Sequence, residues 1–333
     1  MSRFLTGTVS KIISERAGLQ RIEVEERLAY VLTQLIGPVE LGDEVVLNVT
    51  ATDLRLGTGG WDVVHWNLSR RQWSEAGAGH VMKLRYTSLQ ADVGVAEEEG
   101  PQLDMSVELL PVVTCFLHSQ LAPVAVAFAA SAPGTRLGYV MTDSAALPYA
   151  LSDLAATLVE RGLLHTTVSA GQAFGAAREA VNVASALAIA RRAGCSAVVV
   201  APGPGVVGTG TRHGFSGIEV ASIVDMAAAL RARPIVALRW SDTDVRERHR
   251  GLSHHASTAL GLMHGQAALG IPAGYDPGAL PAHHDLRIVQ LPDLTEGLED
   301  LRATTMGRGL RDDPGFFEMA AAAGVVAARM LDS

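Results

Sequence analysis

The chain has 333 residues, 48% of them hydrophobic and 19% charged, with 27 Lys and Arg against 35 Asp and Glu for a net charge of −8. That length predicts two domains, and that composition excludes a disordered chain. The acidic balance argues against general nucleic-acid binding, while a local basic patch still suits a small anion.

Residues 1–85 form short β-rich runs, and a small barrel-like domain is expected there. Leu5–Ile13, Gln20–Val24, Leu28–Leu35 and Glu44–Thr50 carry β-branched or alternating apolar residues, with Gly37-Pro38 and Gly42-Asp43 as turn signals. Barrel closure removes exposed strand edges. Oligonucleotide-binding barrels share this pattern, but their function needs a basic groove with stacking aromatics. Here Trp61, Trp66 and Trp73 come late, and Glu23, Glu25 and Glu26 sit among the strands. A capping or dimerising barrel is the expectation, with a homodimer as the candidate assembly and no nucleic-acid partner.

Residues 86–109 break the composition, with Glu97-Glu98-Glu99-Gly100-Pro101 at their centre, and are expected to be a linker or exposed loop. From 110 to 333 the rhythm changes. Pro111–Leu117, Leu137–Met141, His165–Val168, Ser196–Ala201, Pro234–Leu238 and Leu286–Leu291 are nearly continuous apolar runs, as in strands buried on both faces of a parallel sheet. Gln120–Ala130, Tyr149–Arg161, Ala177–Arg192, Gly217–Ala232 and Gly251–Ala268 carry helical periodicity between them, and Pro314–Leu331 is expected to be a closing helix. This alternation predicts an α/β fold: a doubly wound, mostly parallel, Rossmann-like sheet preceded by the barrel.

Cys115 and Cys195 fall in strand-like runs without zinc-knuckle or redox-pair spacing, which reads as reduced core thiols in a cytoplasmic setting. The first residues lack the apolar core of a signal peptide. The longest apolar stretch, Leu121–Ala132, is far short of the roughly 20 residues that span a bilayer. No membrane association is expected.

Open parallel sheets bind ligands beyond the carboxyl ends of their strands. The segments that follow the predicted strands are His118-Ser119, Thr142-Asp143-Ser144, Ser169–Gln172, the glycine segment Ala201–Thr211, and Arg239–Asp242. Gly203, Gly205 and Gly208 fit the spacing GxGxxG, but no helix starts at the third glycine and the acid Asp242 comes too late for a dinucleotide fold. A phosphate loop would place Lys-Ser/Thr where Thr209-Gly210 stands. What remains is general: glycines and hydroxyls that can present N–H groups to an anion. Gly214-Phe215-Ser216-Gly217 lacks the residue a nucleophile elbow requires between Ser and Gly; Ser216 is expected to cap the next helix, with Glu219 completing a capping box.

The leading reading is a small anionic ligand, a phosphorylated or carboxylated metabolite, held by Gly203, Gly205, Gly208, Thr209, Gly210 and Thr211 and clamped by Arg248 and Arg250. Candidate proton carriers are His118, Asp143 and Glu179, the last at the expected start of the Ala177–Arg192 helix with Asn182 a turn on. No cofactor is identified, and whether catalysis occurs is left open. A metal at His249, His254 and Asp242 is the minor alternative, since neighbouring histidines within a helix point to different faces and His255 adds a third that should diverge. The competing class is a non-catalytic sensor or assembly module.

Three segments carry a family resemblance: Met141–Pro148, Ala201–Phe215 and Arg248–His255. On these the chain resembles an uncharacterised bacterial family, domain of unknown function 3866, over nearly its whole length. The resemblance implies a bacterial cytoplasmic protein and transfers no catalytic residue.

Overall fold

In the first β-rich segment, period-two alternation over Leu19–Val24, Arg27–Val31 and Glu44–Asn48 sends every second side chain inward. The computed structural model describes residues 2–56, 59–75, 77, 79–100 and 106–332, and the chain divides into two units, Met1–Gly94 and Val95–Ser333. In the first unit β1 (Phe4–Arg16), β2 (Leu19–Val24), β3 (Arg27–Val31), β4 (Glu44–Asn48) and β5 (Asp62–Asn67) close into a barrel of order β1-β2-β3-β5-β4. β3 and β5 run parallel and the other pairs antiparallel. Val9, Ile22, Val24, Ala29, Val31, Val45, Leu47 and Val64 fill it.

Two features of this unit differ from the sequence reading. The run Leu28–Leu35 is not one strand: β3 ends at Val31 and a helical turn, α1 (Thr33–Ile36), follows. β5 falls outside the expected strands, because Asp62, His65 and Asn67 break up its apolar residues. A second turn, α2 (Thr50–Asp53), precedes β5, whose buried Asp62 pairs with Arg27 at 2.5 Å. Trp61 stacks on Tyr30 at 4.8 Å, so this tryptophan belongs to the barrel wall. A short hairpin, β6 (Met82–Lys83) with β7 (Ala91–Asp92), ends the unit. The expected linker therefore contains β7 and a 3-10 turn at Ala96–Glu99, and its residues 101–105 lie outside the described residues.

The second unit alternates strands and helices: β8 (Pro111–Cys115), α3 (Leu121–Ser131), β9 (Leu137–Thr142), α4 (Asp153–Glu160), β10 (Thr166–Ser169), β11 (Arg178–Glu179), α5 (Val183–Arg192), β12 (Ala197–Pro202), α6 (Glu219–Ala229) and β13 (Arg233–Ala237). A hairpin of β14 (Trp240–Ser241) and β15 (Gly251–Leu252) precedes α7 (His254–Leu260), β16 (Ala268–Pro272), β17 (Asp285–Val289), α8 (Thr295–Asp300) and α9 (Pro314–Arg329). Eight strands make one sheet in the order β11-β10-β9-β12-β8-β13-β16-β17. Every pairing in it is parallel.

Helices cover both faces, as a doubly wound sheet requires. Leu137, Tyr139, Met141, Ala197, Val199 and Ala201 face the core shared with α3, α4 and α9. Their neighbours Val140, Val198 and Val200 face α5 and α6. α9 starts with Pro314 in its first turn and crosses α3 so closely that a Cβ on Gly324 would collide with the Val124 carbonyl. Among the described residues no helix is long and apolar enough to cross a membrane.

Two expected helices are shorter than their periodicity suggested. Within Ala177–Arg192, Arg178-Glu179 forms the edge strand β11, and α5 begins only after Asn182, whose side chain accepts the Ser185 N–H at 3.0 Å. Gly251–Ala268 divides into β15, α7 and the start of β16; Gly261 and Gly265 interrupt it, and the buried run Ala268–Pro272 pairs with β13 and β17. In both cases the apolar spacing matched a helix while sheet pairing supplied backbone partners that the helix did not.

Candidate functional site

The strand order sets where a ligand can enter. The chain leaves β8 toward β9 and leaves the adjacent β13 toward β16, so the two connections diverge and create a switch point; β9 and β12 form a second one. The polar residues at these two places behave differently.

At the β9/β12 side, the side chains bind one another. His118 follows β8; its Nδ1 lies 3.0 Å from the Pro202 carbonyl and its Nε2 2.7 Å from Ser152 Oγ. A carbonyl only accepts, so Nδ1 carries the proton and Ser152 donates to Nε2. Burial pushes this imidazole down to about 4, which keeps it neutral. Asp143 accepts the Gln172 N–H at 2.8 Å, and Glu179 accepts the Gly175 N–H at 2.6 Å. All three candidate proton carriers hold loops in place.

Ser216 is not the helix cap that the sequence suggested. It begins a 3-10 turn, its hydroxyl accepts the Val207 N–H, and α6 starts without a side-chain cap. Glu219 instead reaches across to β9, accepting from Thr142 Oγ1 at 2.7 Å and Ser144 Oγ at 2.6 Å. Burial raises its pKa against the lowering effect of those two bonds.

The β8/β13 crevice is plugged at its base. Gln120 is fully buried; its Oε1 accepts the N–H groups of Phe116 and Leu117, and its Nε2 donates to the carbonyls of Ala237 and Leu238. Above this plug β13 continues into Arg239 and the β14–β15 hairpin. Buried Asp313 anchors that hairpin by accepting from Ser241 Oγ and the Asp242 N–H, and Arg308 lies 3.1 Å from it. Asp242 accepts from Gly315 N–H and Trp240 Nε1, so it fastens the start of α9 and lies outside the histidine group.

The hairpin returns through a 3-10 turn, Glu247–His249, into Ser253 and α7. Here His249, His254 and His255 converge, contrary to the divergence expected of neighbouring histidines. Ring centroids are 4.9 Å apart for His249–His254, 4.8 Å for His249–His255 and 4.2 Å for His254–His255. The physical reason is position. Side chains lean toward a helix N-terminus, so residues in the first turn of α7 overhang the place where His249 lies.

Burial and nearby guanidinium groups hold all three rings neutral, with His249 lowered to about 4, His255 to about 3, and His254 also lowered. Burial lowers Arg239 to about 10. Arg239 donates to His255 Nδ1 at 2.7 Å; arginine has no acceptor, so the proton of neutral His255 is on Nε2. The Nε2 atoms of His254 and His255 are buried and have no hydrogen-bond partner among the described residues. Each such atom costs about 1–3 kcal/mol.

The glycine segment closes over this group. Thr209 N–H donates to the Gly214 carbonyl and Gly208 bridges to Phe215, which makes a tight hairpin. Thr209 and Thr211 hydroxyls bond each other at 2.8 Å, and Thr209 Oγ1 also donates to the Gly214 carbonyl, so both serve the hairpin. Phe215 stacks on His255, with centroids 3.9 Å apart and rings 3° from parallel. A Cβ on Gly208 would lie 2.9 Å from His255 Cε1. Gly203 packs on the Ala146 carbonyl, whereas Gly205, at φ +89, and Gly210 face open space.

Of the expected clamp, Arg248 and Arg250 are exposed, and Arg250 donates to the Asp244 carbonyl. Arg246 is bound to Asp244 at 2.9 Å. The sequence reading named Arg239, His255 and Glu219 but gave none of them the place it has here: His255 was expected to diverge from the other histidines, Arg239 stood only among the strand-end residues, and Glu219 was assigned to a capping box. Arg239 was visible as the first residue beyond a predicted strand, and Glu219 was hidden by its fit to a capping box. An open depression bordered by Arg191 and Arg233 lies at the opposite, amino-terminal edge of the sheet, away from these groups.

A family model described as "Protein of unknown function (DUF3866)" matches residues 28–324. No curated protein and no solved structure matches the chain.

Proposed function

The chain belongs to this family, and from its own residues we propose that it binds a small anionic metabolite, phosphorylated or carboxylated, between the Gly208–Phe215 hairpin and the cluster of Arg239, His249, His254 and His255. The observation that carries this reading is the seating of Gly208 and Phe215 directly on a buried His255 whose Nε2 has no partner among the described residues. Arg248 adds positive potential at the rim, as its lowering effect on His254 and His255 reflects. Buried Cys115 and Cys195, both free, support a reducing, cytoplasmic setting.

The test is thermal denaturation of the full chain with inorganic phosphate, sugar phosphates and small carboxylates. Wild type is expected to be stabilised, since a ligand that binds only the folded state raises its stability by mass action. Gly208→Val, which pushes the His255 ring out of place, should fold with an unchanged circular-dichroism spectrum and lose that response. Equal stabilisation of the two proteins would remove the hairpin from the account.

A second reading, an assembly module, rests on one observation: β1 exposes Phe4, Leu5, Ile12 and Ile13. Paired apolar residues of this kind suit a homodimer interface. Sedimentation of Ile12→Lys/Ile13→Lys should then show a smaller species than wild type; identical sedimentation of both proteins as monomers would end this reading.

A further inference from the structure

Three imidazoles facing one another, with no carboxylate among them, form an unusual group in a protein interior. One nitrogen from each of His249, His254 and His255 lies within 4.8 Å of the others. His249 and His255 are 2% and 4% exposed, and the Nε2 atoms of His254 and His255 lack partners among the described residues. His249 Nδ1 lies 2.7 Å from Ser253 Oγ, which leaves its Nε2 as the free nitrogen. Metal-bound histidines are oriented in this way, through the ring nitrogen that does not ligate.

We propose that His249, His254 and His255 bind one divalent transition-metal ion through their Nε2 atoms, leaving at least one coordination position open to an exogenous ligand. The donor set selects the class. Imidazole suits zinc, cobalt, nickel and copper, whereas magnesium and calcium require oxygen donors. Three protein ligands and an open position is the plan of reactive rather than structural zinc sites. Bonds of about 2.0–2.1 Å require nitrogens roughly 3.3 Å apart, so the three rings draw together by rotation about their side-chain torsions.

Arg239 opposes this arrangement and makes it specific. Its hydrogen bond to His255 Nδ1 places the ring proton on Nε2, where the metal must bind. Metal entry therefore moves that proton to Nδ1, with no net release, and displaces Arg239. The freed guanidinium then faces the open coordination position. The nearby carboxylate, Asp244, is paired with Arg246 and is not among the three ligands, so the metal's charge and the released Arg239 together favour an anion as the remaining ligand. Metal binding itself does not depend on that anion.

The test uses the full chain stripped with a chelator and titrated with Co2+, whose visible absorption reports imidazole coordination. One cobalt per chain is expected, with bands lost in His254→Ala, which removes a half-buried side chain and should leave the fold intact by circular dichroism. Arg239→Gln, whose carbonyl accepts the Nδ1 proton, should tighten cobalt binding by roughly tenfold while weakening any shift of the bands by inorganic phosphate, in keeping with the size of outer-shell effects. Absence of cobalt binding to folded wild type, or bands that survive both His249→Ala and His254→Ala, would overturn the proposal. The anion reading is tested separately: phosphate stabilisation of chelated protein without cobalt bands defeats the metal alone, and cobalt bands unmoved by any anion defeat the anion alone.

Discussion

The two switch points of one sheet edge differ in how they treat polar atoms. Around β9 and β12, His118, Asp143, Glu179, Glu219, Thr142 and Ser144 bind loops or one another. Above β13, two imidazole nitrogens are buried without partners among the described residues, and three rings crowd together beside Arg239. Both regions stand at strand ends, where open sheets bind ligands. Position on the edge therefore selects neither. The completeness of hydrogen bonding separates a region that holds the fold from the proposed ligand site, because unpaired buried polar atoms are rare without a reason. The remaining such atom among the described residues, Glu97 Oε2, belongs to a carboxylate whose other oxygen accepts from Val181 N–H and Ser185 Oγ.

The comparison is broken most severely through Gln120, which joins the two regions. Gln120→Ala leaves two N–H groups and two carbonyls without partners at the ends of β8 and β13. A loss of about 4 kcal/mol or more is expected from about 1–3 kcal/mol per buried orphan, read from chemical denaturation. A loss below about 1 kcal/mol would mean that water replaces the amide.

His118 sharpens it next. The folded state holds this ring neutral, so the unfolded chain takes up the proton first as pH falls below the ordinary 6.5. The stability present above 6.5 is lost progressively down to about 4, where folded His118 also protonates. Its share of that loss is on the order of 3 kcal/mol, at about 1.4 kcal/mol per unit. His118→Phe should flatten the pH dependence of stability between these values and leave anion and metal responses intact. It should cost about 1–3 kcal/mol at pH 7 for the two lost hydrogen bonds, while Ser152 Oγ keeps the Ala155 N–H and the Pro202 carbonyl keeps the Tyr139 hydroxyl. A lost ligand response with stability retained would move His118 into the site.

Glu219 gives the smallest effect. Its raised pKa means that the folded state binds the proton more tightly, so its contribution falls as pH rises from the ordinary 4.5 through the folded value. Glu219→Gln keeps an acceptor for Thr142 and Ser144, removes a charge that burial disfavours, and should raise stability at neutral pH by about 0.5 kcal/mol, while reducing the pH slope above 4.5. His254→Ala, by contrast, should cost little stability and abolish the cobalt signal. Stability cost and binding cost are thus expected to run in opposite orders on the two sides.

Much of this was readable before any fold was known. Continuous apolar runs marked β8, β9, β10, β12 and β13, and the intervals carried α3 through α6, because strands buried on two faces need no polar alternation. Where reading failed, two patterns competed. Arg178-Glu179 and Ala268–Pro272 lie inside helix-like spacing, and pairing with strands far away in sequence outweighed it. The proposed site is legible in the sequence as a set of segments: the glycine run, the Arg-His run and the strand ends. The roles within it were not. Thr209 and Thr211 bond each other, and the candidate acids fasten loops.

Local chemistry settled most of the strands and helices of the second unit, that its sheet is mostly parallel, and that a glycine-rich segment follows β12, since each depends on neighbours a few residues apart. The insertion of β12 between β9 and β8, with β13 on the far side of β8, depends on packing across the whole second unit. That order lays Gly208 and Phe215, from the segment after β12, on His255 from the segment after β13. Whether a buried nitrogen finds a partner is a property of that three-dimensional neighbourhood, and no spacing along the chain records it.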